Sequence, residues 1–304
     1  MKVLLTGGTG LIGRHLVPQL VERGDRVVCL TRHETRARSL LPVGVEILET
    51  DAAQTGPWQD VVSGCDAVIN LAGESIAAGN WSDRRKQRIR RSRLDITRNL
   101  VDALDRQDGP VVLLSASATG YYGDCGDTAL GESNEPGLDF LARLAREWEA
   151  TALTAESSTT RVVLLRIGIV LARDGGALPL LRRPFRFGLG GAIGSGRQYF
   201  PWIHIDDLVR VFLFALHEND LSGPVNAVAP DPPTQRAFAR ALGRAVHRPS
   251  LLPLPAFFLR LLLGEKGEML LASQRAVPKA LRARRFRFTY DNLDDALADL
   301  VRRD

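Results

Sequence analysis

Short apolar runs alternate with amphipathic stretches through the first 170 residues of the chain. Six runs have the length and β-branched content of buried strands: 2–6 (KVLLT), 26–31 (RVVCLT), 45–48 (VEIL), 66–71 (DAVINL), 111–116 (VVLLSA) and 161–168 (RVVLLRIG). Helical spacing predicts helices over 11–23, 83–105 and 138–155. In the second, Leu94, Thr97, Leu100, Val101 and Leu104 fall on one face that a sheet would cover. Strand and helix in strict alternation are the rhythm of an α/β protein, here a Rossmann-type doubly wound parallel sheet.

After residue 170 the texture changes. Residues 172–208 are rich in Gly and aromatic side chains with little periodicity, and read as loops and short strands over a site. Residues 202–218 (WIHIDDLVRVFLFALHE) read as a strand, an Asp cap and a helix. Small helices are expected over 234–247 and 253–264, then a strand and a closing helix over 286–301. The expected organisation is a main domain over 1–170, with 202–230 returning to its sheet. Residues 171–201 and 231–304 would form a small, dependent C-terminal α/β lobe. The longest apolar stretch, 251–264 (LLPLPAFFLRLLLG), holds two Pro and an Arg. It is too short and broken to span a bilayer and is expected to be a core helix.

Of the 304 residues, 45% are apolar and 25% charged, as in a soluble globular protein, and the formal charge is +5. The basic run DRRKQRIRRSR (83–93) lacks interleaved aromatics, so a solvated helix face is expected and no nucleic-acid partner. Cys29, Cys65 and Cys125 show no metal spacing and no even disulfide set; Cys29 and Cys65 read as core thiols. With a strand entering glycines directly after Lys2, no signal peptide is expected, and the expected home is cytoplasmic, without membrane attachment or metal.

The candidate chemistry begins at TGGTGLIG (6–13), a glycine pattern that follows a strand and opens a helix. Gly7 allows the tight turn, Gly10 the close approach of backbone N–H groups to a pyrophosphate, and Gly13 close helix packing. Gly8, Thr9, Leu11 and Ile12 complete that set. At the end of the second strand a dinucleotide site that reads a ribose hydroxyl carries a carboxylate; this chain has Thr31 and Arg32, with Arg36 and Arg38 behind. A guanidinium pairs with a 2′-phosphate, so NADP(H) is favoured over NAD(H). Asp51, with Ala52, is placed to accept from the adenine amine. Leu71, Ala72 and Gly73 end the fourth strand in residues that let a chain run under a cofactor, and Glu74 would bond its ribose or amide. Ser115, Arg166 and Gly168, at the ends of the fifth and sixth strands, join the set.

TGGTGLIG, NLAGESI, SASATGYYGD and WIHIDDL together resemble the extended short-chain dehydrogenase/reductases. SRLDITRNL (92–100), DFLARLAREWEA (139–150), LRIGIVLARDGGAL (165–178) and LLGEKGEMLLASQRAVPKAL (262–281) narrow the likeness to the atypical YfcH-like branch, related to NAD-dependent epimerases and dehydratases of sugar nucleotides. The resemblance implies a Rossmann fold with a C-terminal lobe, an NADP(H) site and a small-molecule substrate. It also implies an Asn, a Ser, and a Tyr and Lys one helical turn apart. Ser117 fits the Ser, but the Asn position falls near Arg93 and the Tyr and Lys positions near Asp139 and Arg143. An ionised Asp donates no proton and an Arg shuttles none. QYFPWIH also lacks the Arg that sugar-nucleotide enzymes place there for a diphosphate.

Tyr121 and Tyr122 are the candidate replacement acids. His204 reads as structural, Lys86 and Arg93 as anion hooks or a solvated face, Trp148 as packing, Glu149 as helix surface, and 188–196 as a flexible wall. The leading expectation is hydride transfer to or from a small carbonyl or alcohol, with Ser117 polarising the oxygen and Tyr121 as acid. The alternatives are a catalytically silent NADP(H) sensor and a nucleotide-sugar epimerase, in each case a monomer or homodimer.

Overall fold

In the computed structural model, which describes residues 1–107 and 109–301, the strand-helix rhythm becomes β1 (Lys2–Thr6), α1 (Leu11–Glu22), β2 (Arg26–Thr31), α2 (Glu34–Leu40) and β3 (Glu46–Glu49). Then follow β4 (Ala67–Asn70), α3 (Asp83–Leu104), β5 (Val111–Ala118), a two-residue β6 (Ala129–Leu130), α4 (Phe140–Leu153) and β7 (Thr160–Ile167). Alternate residues of each strand leave the sheet on opposite faces. Val3 and Leu5 join Leu16, Val17 and Leu20 of α1, whereas Leu4 joins Leu100, Val101 and Leu104 of α3. Both faces are therefore apolar, as a parallel sheet between two helical layers requires.

The C-terminal third adds β8 (Ile169–Leu171), α5 (Leu178–Arg186), β9 (Trp202–His204), α6 (Ile205–His217) and β10 (Gly223–Ala227). After these come α7 (Gln235–Ala245), α8 (Ala256–Leu263), α9 (Glu265–Leu271), β11 (Arg275–Ala276), α10 (Lys279–Ala283) and α11 (Leu293–Val301). The main sheet has seven parallel strands in the order β10-β7-β5-β4-β1-β2-β3. The chain builds outward from β1 through β2 to β3, then crosses to β4 on the other side of β1. The carboxyl ends of β1 and β4 thus frame the switch point at which open α/β sheets bind ligands. β8 pairs with β9 and β6 with β11 in separate two-stranded ribbons. α5, α7 and α11 enclose a second core around Phe185, Trp202, Phe238, Leu242 and Leu297.

The structure departs from the sequence expectations at four places. α2, α5, α9 and α10 form in segments without a helix assignment. The cap of α6 is His204, whose Nδ1 accepts from Asp206 N–H at 3.1 Å, and not an Asp. Residues 286–290 form no strand, because the backbone N–H groups of Thr289 and Tyr290 donate to the buried carboxylate of Asp207, each at 2.8 Å. Helix α8 is no core helix: Leu259 is buried, but Phe257, Leu261 and Leu262 are 61%, 78% and 70% exposed. No helix among the described residues is long and apolar enough to cross a membrane.

Candidate functional site

The turn after β1 is built so that two loops touch. Gly7 has φ +74°, and a Cβ there would lie 2.7 Å from the carbonyl carbon of Leu71, just beyond β4. A Cβ on Gly13 would meet Gly8 Cα at 2.5 Å, and one on Gly8 would meet Cys29 Sγ at the same distance. Gly10 caps α1 in extended conformation without a side-chain cap, leaving the first N–H groups of the helix free of a capping side chain. Thr9, Leu11 and Ile12 are half-buried, with Ile12 packed on the core. Burial pushes the Cys29 thiol beneath this turn up to about 11, which makes it an inert core group.

At the tip of β2, Thr31 Oγ1 accepts from His33 N–H at 3.3 Å, while Arg32 and Arg36 are exposed. Neither guanidinium has a partner among the described residues. Glu34, the acid beside them, is held by Arg38 through Nε at 2.7 Å. At the tip of β3, exposed Asp51 accepts from Ala53 N–H at 3.1 Å, and the Ala52 carbonyl takes a hydrogen bond from Asn99 Nδ2 at 2.9 Å.

Beyond β4, Leu71, Ala72 and Gly73 follow Asn70, which is locked in a buried chain. Thr6 Oγ1 donates to Asn70 Oδ1 (2.8 Å), and Asn70 Nδ2 and Trp148 Nε1 both donate to Thr97 Oγ1 (2.9 Å each). Thr97 in turn donates to the Arg93 carbonyl at 2.8 Å, so every polar atom of the chain is used. Glu74 is ion-paired with Arg85 and lies 4.0 Å from Arg88. Lys86 pairs with Glu265 and Arg90 with Glu147, so the basic face of α3 is largely tied into the molecule and not simply solvated.

Around Ser117 the structure places a buried polar network that the sequence did not disclose. Ser117 Oγ donates to Glu149 Oε1 at 2.6 Å. Arg166 holds both Glu149 oxygens, Nε to Oε1 at 2.9 Å and Nη2 to Oε2 at 2.8 Å. Arg166 also donates through Nη1 to Tyr122 Oη (3.0 Å) and the Glu132 carbonyl (2.9 Å), and Tyr122 Oη donates to Asn226 Oδ1 at 2.7 Å. The Arg166 guanidinium lies 3.5 Å from the centroid of the Tyr121 ring. Glu149, expected on the helix surface, is 5% exposed and Arg166 is 3% exposed. Nearby Ser115 is buried, and Gly168 abuts the Pro201 carbonyl, 2.7 Å from where its Cβ would lie. Burial raises the Tyr121 hydroxyl pKa above its usual value, against the opposing pull of Arg166, so the phenol stays protonated near neutral pH.

The helix face turned to this network also differs from the expected register. Asp139 is the N-cap of α4, accepting from Ala142 N–H at 2.9 Å, and Arg143 turns back to the Leu138 carbonyl at 2.5 Å. Leu141 is the residue that packs against Gly120, and Ala145 and Glu149 follow it at four-residue steps on the same face. The pair one turn apart that faces the end of β5 is thus Leu141 and Ala145, and neither can move a proton. His204 is 1% exposed and stacked on Tyr290 at 3.8 Å, away from this network.

A glycine turn at the switch point of a doubly wound sheet defines a Rossmann-type dinucleotide-binding fold. The chain belongs to the NAD dependent epimerase/dehydratase family, whose model matches residues 3–228; a domain of unknown function, DUF1731, matches 254–300. It is 39% identical over 308 residues to an Arabidopsis thaliana protein described as epimerase family protein SDR39U1 homolog, chloroplastic, covering 99% of this chain and 87% of that one. The crystal structure of human epimerase family protein SDR39U1 with NADPH superposes with a TM-score of 0.88 at 34% identity, covering 99% of both chains. UDP-glucuronic acid 4-epimerase from Bacillus cereus shares the fold at a TM-score of 0.77 and 19% identity, covering 99% of each chain.

Proposed function

We propose that the protein binds NADP(H) at the switch point and transfers hydride between it and a small carbonyl or alcohol. The observation that carries the cofactor choice is the tip of β2, where exposed Arg32 and Arg36 stand without counter-ions among the described residues and the adjacent Glu34 is occupied by Arg38. A 2′-phosphate suits that arrangement and a ribose hydroxyl does not. The human relative carrying NADPH supports the same reading.

The residues present fit the cofactor. Backbone groups of Gly7 to Gly13 would hold the pyrophosphate, Thr31, Arg32 and Arg36 the 2′-phosphate, and Asp51 and Ala52 the adenine. Leu71 to Glu74, with Ser115 and Gly168, would border the nicotinamide half. Arg166 would act from beneath through Tyr121. When bound, the nicotinamide supplies or accepts the hydride. Tyr121, kept protonated, donates to a carbonyl oxygen and would protonate the alkoxide as it forms. Ser117 donates its one hydroxyl hydrogen bond to Glu149, so it turns lone pairs to the ligand and accepts from an alcohol hydroxyl, where the sequence suggested a polarising donor. The free thiols Cys29, Cys65 and Cys125 suit a reducing, cytoplasmic home.

The face of α4 favours a second reading, an NADP(H) sensor without turnover, because Leu141 and Ala145 provide no acid-base pair. NADPH oxidation followed against a panel of small aldehydes and ketones separates the two. Turnover that falls at least tenfold in Tyr121→Phe supports the enzyme, and an unchanged rate removes that residue from the mechanism. NADPH binding without oxidation across the panel supports the sensor.

A further inference from the structure

The deeply placed Arg side chains of the main domain are answered in different ways inside the protein. Arg166 has Glu149, and Arg161 donates to the carbonyls of Leu221, Ala215 and Leu216 at 2.8–3.1 Å. Arg93 differs. Its Nη1 donates to the Glu74 carbonyl (3.1 Å) and the Ile89 carbonyl (3.0 Å), but no described carboxylate lies within 4.0 Å of it. Asp95, two residues on in sequence, pairs with Arg98, and Glu74, whose charge opposes the effect of burial on Arg93, is ion-paired with Arg85. Nε and Nη2 have no acceptor among the described residues. The guanidinium is half-buried, its Nε and Nη2 keep some contact with water, and a bound anion would answer the charge.

The surroundings make the free edge usable. A Cβ on Gly73 would lie 3.0 Å from Cζ, 3.1 Å from Nη2 and 3.3 Å from Nε, so the missing side chain lets the guanidinium lie flat against the end of β4. The Trp148 ring centroid is 5.3 Å from Cζ, and Trp148 is itself anchored on Thr97. The stem is therefore held in place. Nε and Nη2 form the edge that grips a carboxylate side-on with two parallel hydrogen bonds. Burial lowers the Arg93 pKa to about 10, which leaves it a cation at neutral pH. The other candidate hook, Lys86, is occupied by Glu265 of α9.

We propose that the Nε–Nη2 edge of Arg93 anchors a carboxylate of the substrate, so that the small carbonyl or alcohol bound here is also an acid. This rests on the hydride-transfer reading above, and the test scores the two separately. Oxalate, as a minimal carboxylate, is titrated calorimetrically into the free protein and into the protein saturated with NADP+. Inorganic phosphate is run in parallel, and NADPH affinity is measured on the same samples. Oxalate binding is expected in wild type, weakened at least tenfold in Arg93→Met and partly restored in Arg93→Lys. NADPH affinity is expected to change less than threefold in both variants, with thermal unfolding checking that each is folded. Wild type that binds no oxalate in either form overturns the proposal whatever the variants do. So does phosphate bound more tightly than oxalate, or a loss of NADPH affinity in Arg93→Met that matches the loss of oxalate. Wild type that binds oxalate through Arg93 but no nucleotide keeps the anchor and defeats the cofactor reading.

Discussion

Glu149 shows how a single buried charge organises this site. Its carboxylate accepts hydrogen bonds from Ser117 and from both donors of the Arg166 edge, and Arg166 in turn carries Tyr121 on its face. Ser117 and Tyr121, contributed by a strand and by the turn that follows it, are thus oriented by one ion pair. Removing one partner leaves the other charged and unanswered, whereas replacing both with apolar groups of similar volume does not. Glu149→Gln is expected to cost about 3–5 kcal/mol in urea unfolding, and Glu149→Leu combined with Arg166→Met to recover most of it. A cost near zero in the single variant would mean that the pair is not formed in solution. A Glu on an Arg-rich helix reads as surface; Arg166 inside the apolar strand RVVLLRIG called for a partner, since a cation at a buried strand position requires one, but nothing in the sequence identified it as Glu149.

Among the elements, those with a clean period were legible and those set by side-chain capture were not. β1, β2 and α3 lie within a residue of their expected bounds, because apolar spacing and a Ser82 cap decide them locally. The segment 286–290 alternates like a strand, yet Asp207, some eighty positions away, takes its N–H groups. Helix α8 is apolar enough for a core, but the lobe buries Leu259 and leaves Phe257, Phe258, Leu261 and Leu262 exposed, which composition does not reveal. Helix α6 carries a pH dependence through its cap. His204 Nδ1 must be unprotonated to accept from Asp206 N–H, and burial lowers its pKa below 6.5 against the opposing pull of Asp206, Asp299 and Asp207. The unfolded state then takes up the proton first as pH falls. This contribution is complete above about pH 6.5 and is lost below it. The unfolding midpoint is expected to drop between about pH 6.5 and 5, and His204→Asn, which keeps a capping oxygen but cannot titrate, to flatten that drop. An identical slope in the variant would remove His204 as its source.

At the scale of the molecule, the sheet order brings loops from distant parts of the chain to one place. The turn at 7–13, the run 71–74 and the tip of β2 are separated in sequence, and parallel pairing of β1 with β2 and β4 sets them side by side. That half of the site was readable, since glycines at the end of a first strand and the residue ending the second have fixed places in a doubly wound sheet. The substrate half was not, because it depends on which face of α4 meets β5 and on ion pairs such as Lys86 with Glu265 that join α3 to the C-terminal lobe.

The central property of the site is its choice between two nucleotides at Arg32. Purified protein is titrated with NADPH and with NADH, followed by fluorescence, alongside Arg32→Ala. NADPH is expected to bind at least tenfold more tightly, a difference of about 1.4 kcal/mol, and the variant to lose most of that preference. Equal affinity for the two nucleotides, or a preference that survives in Arg32→Ala, would contradict it.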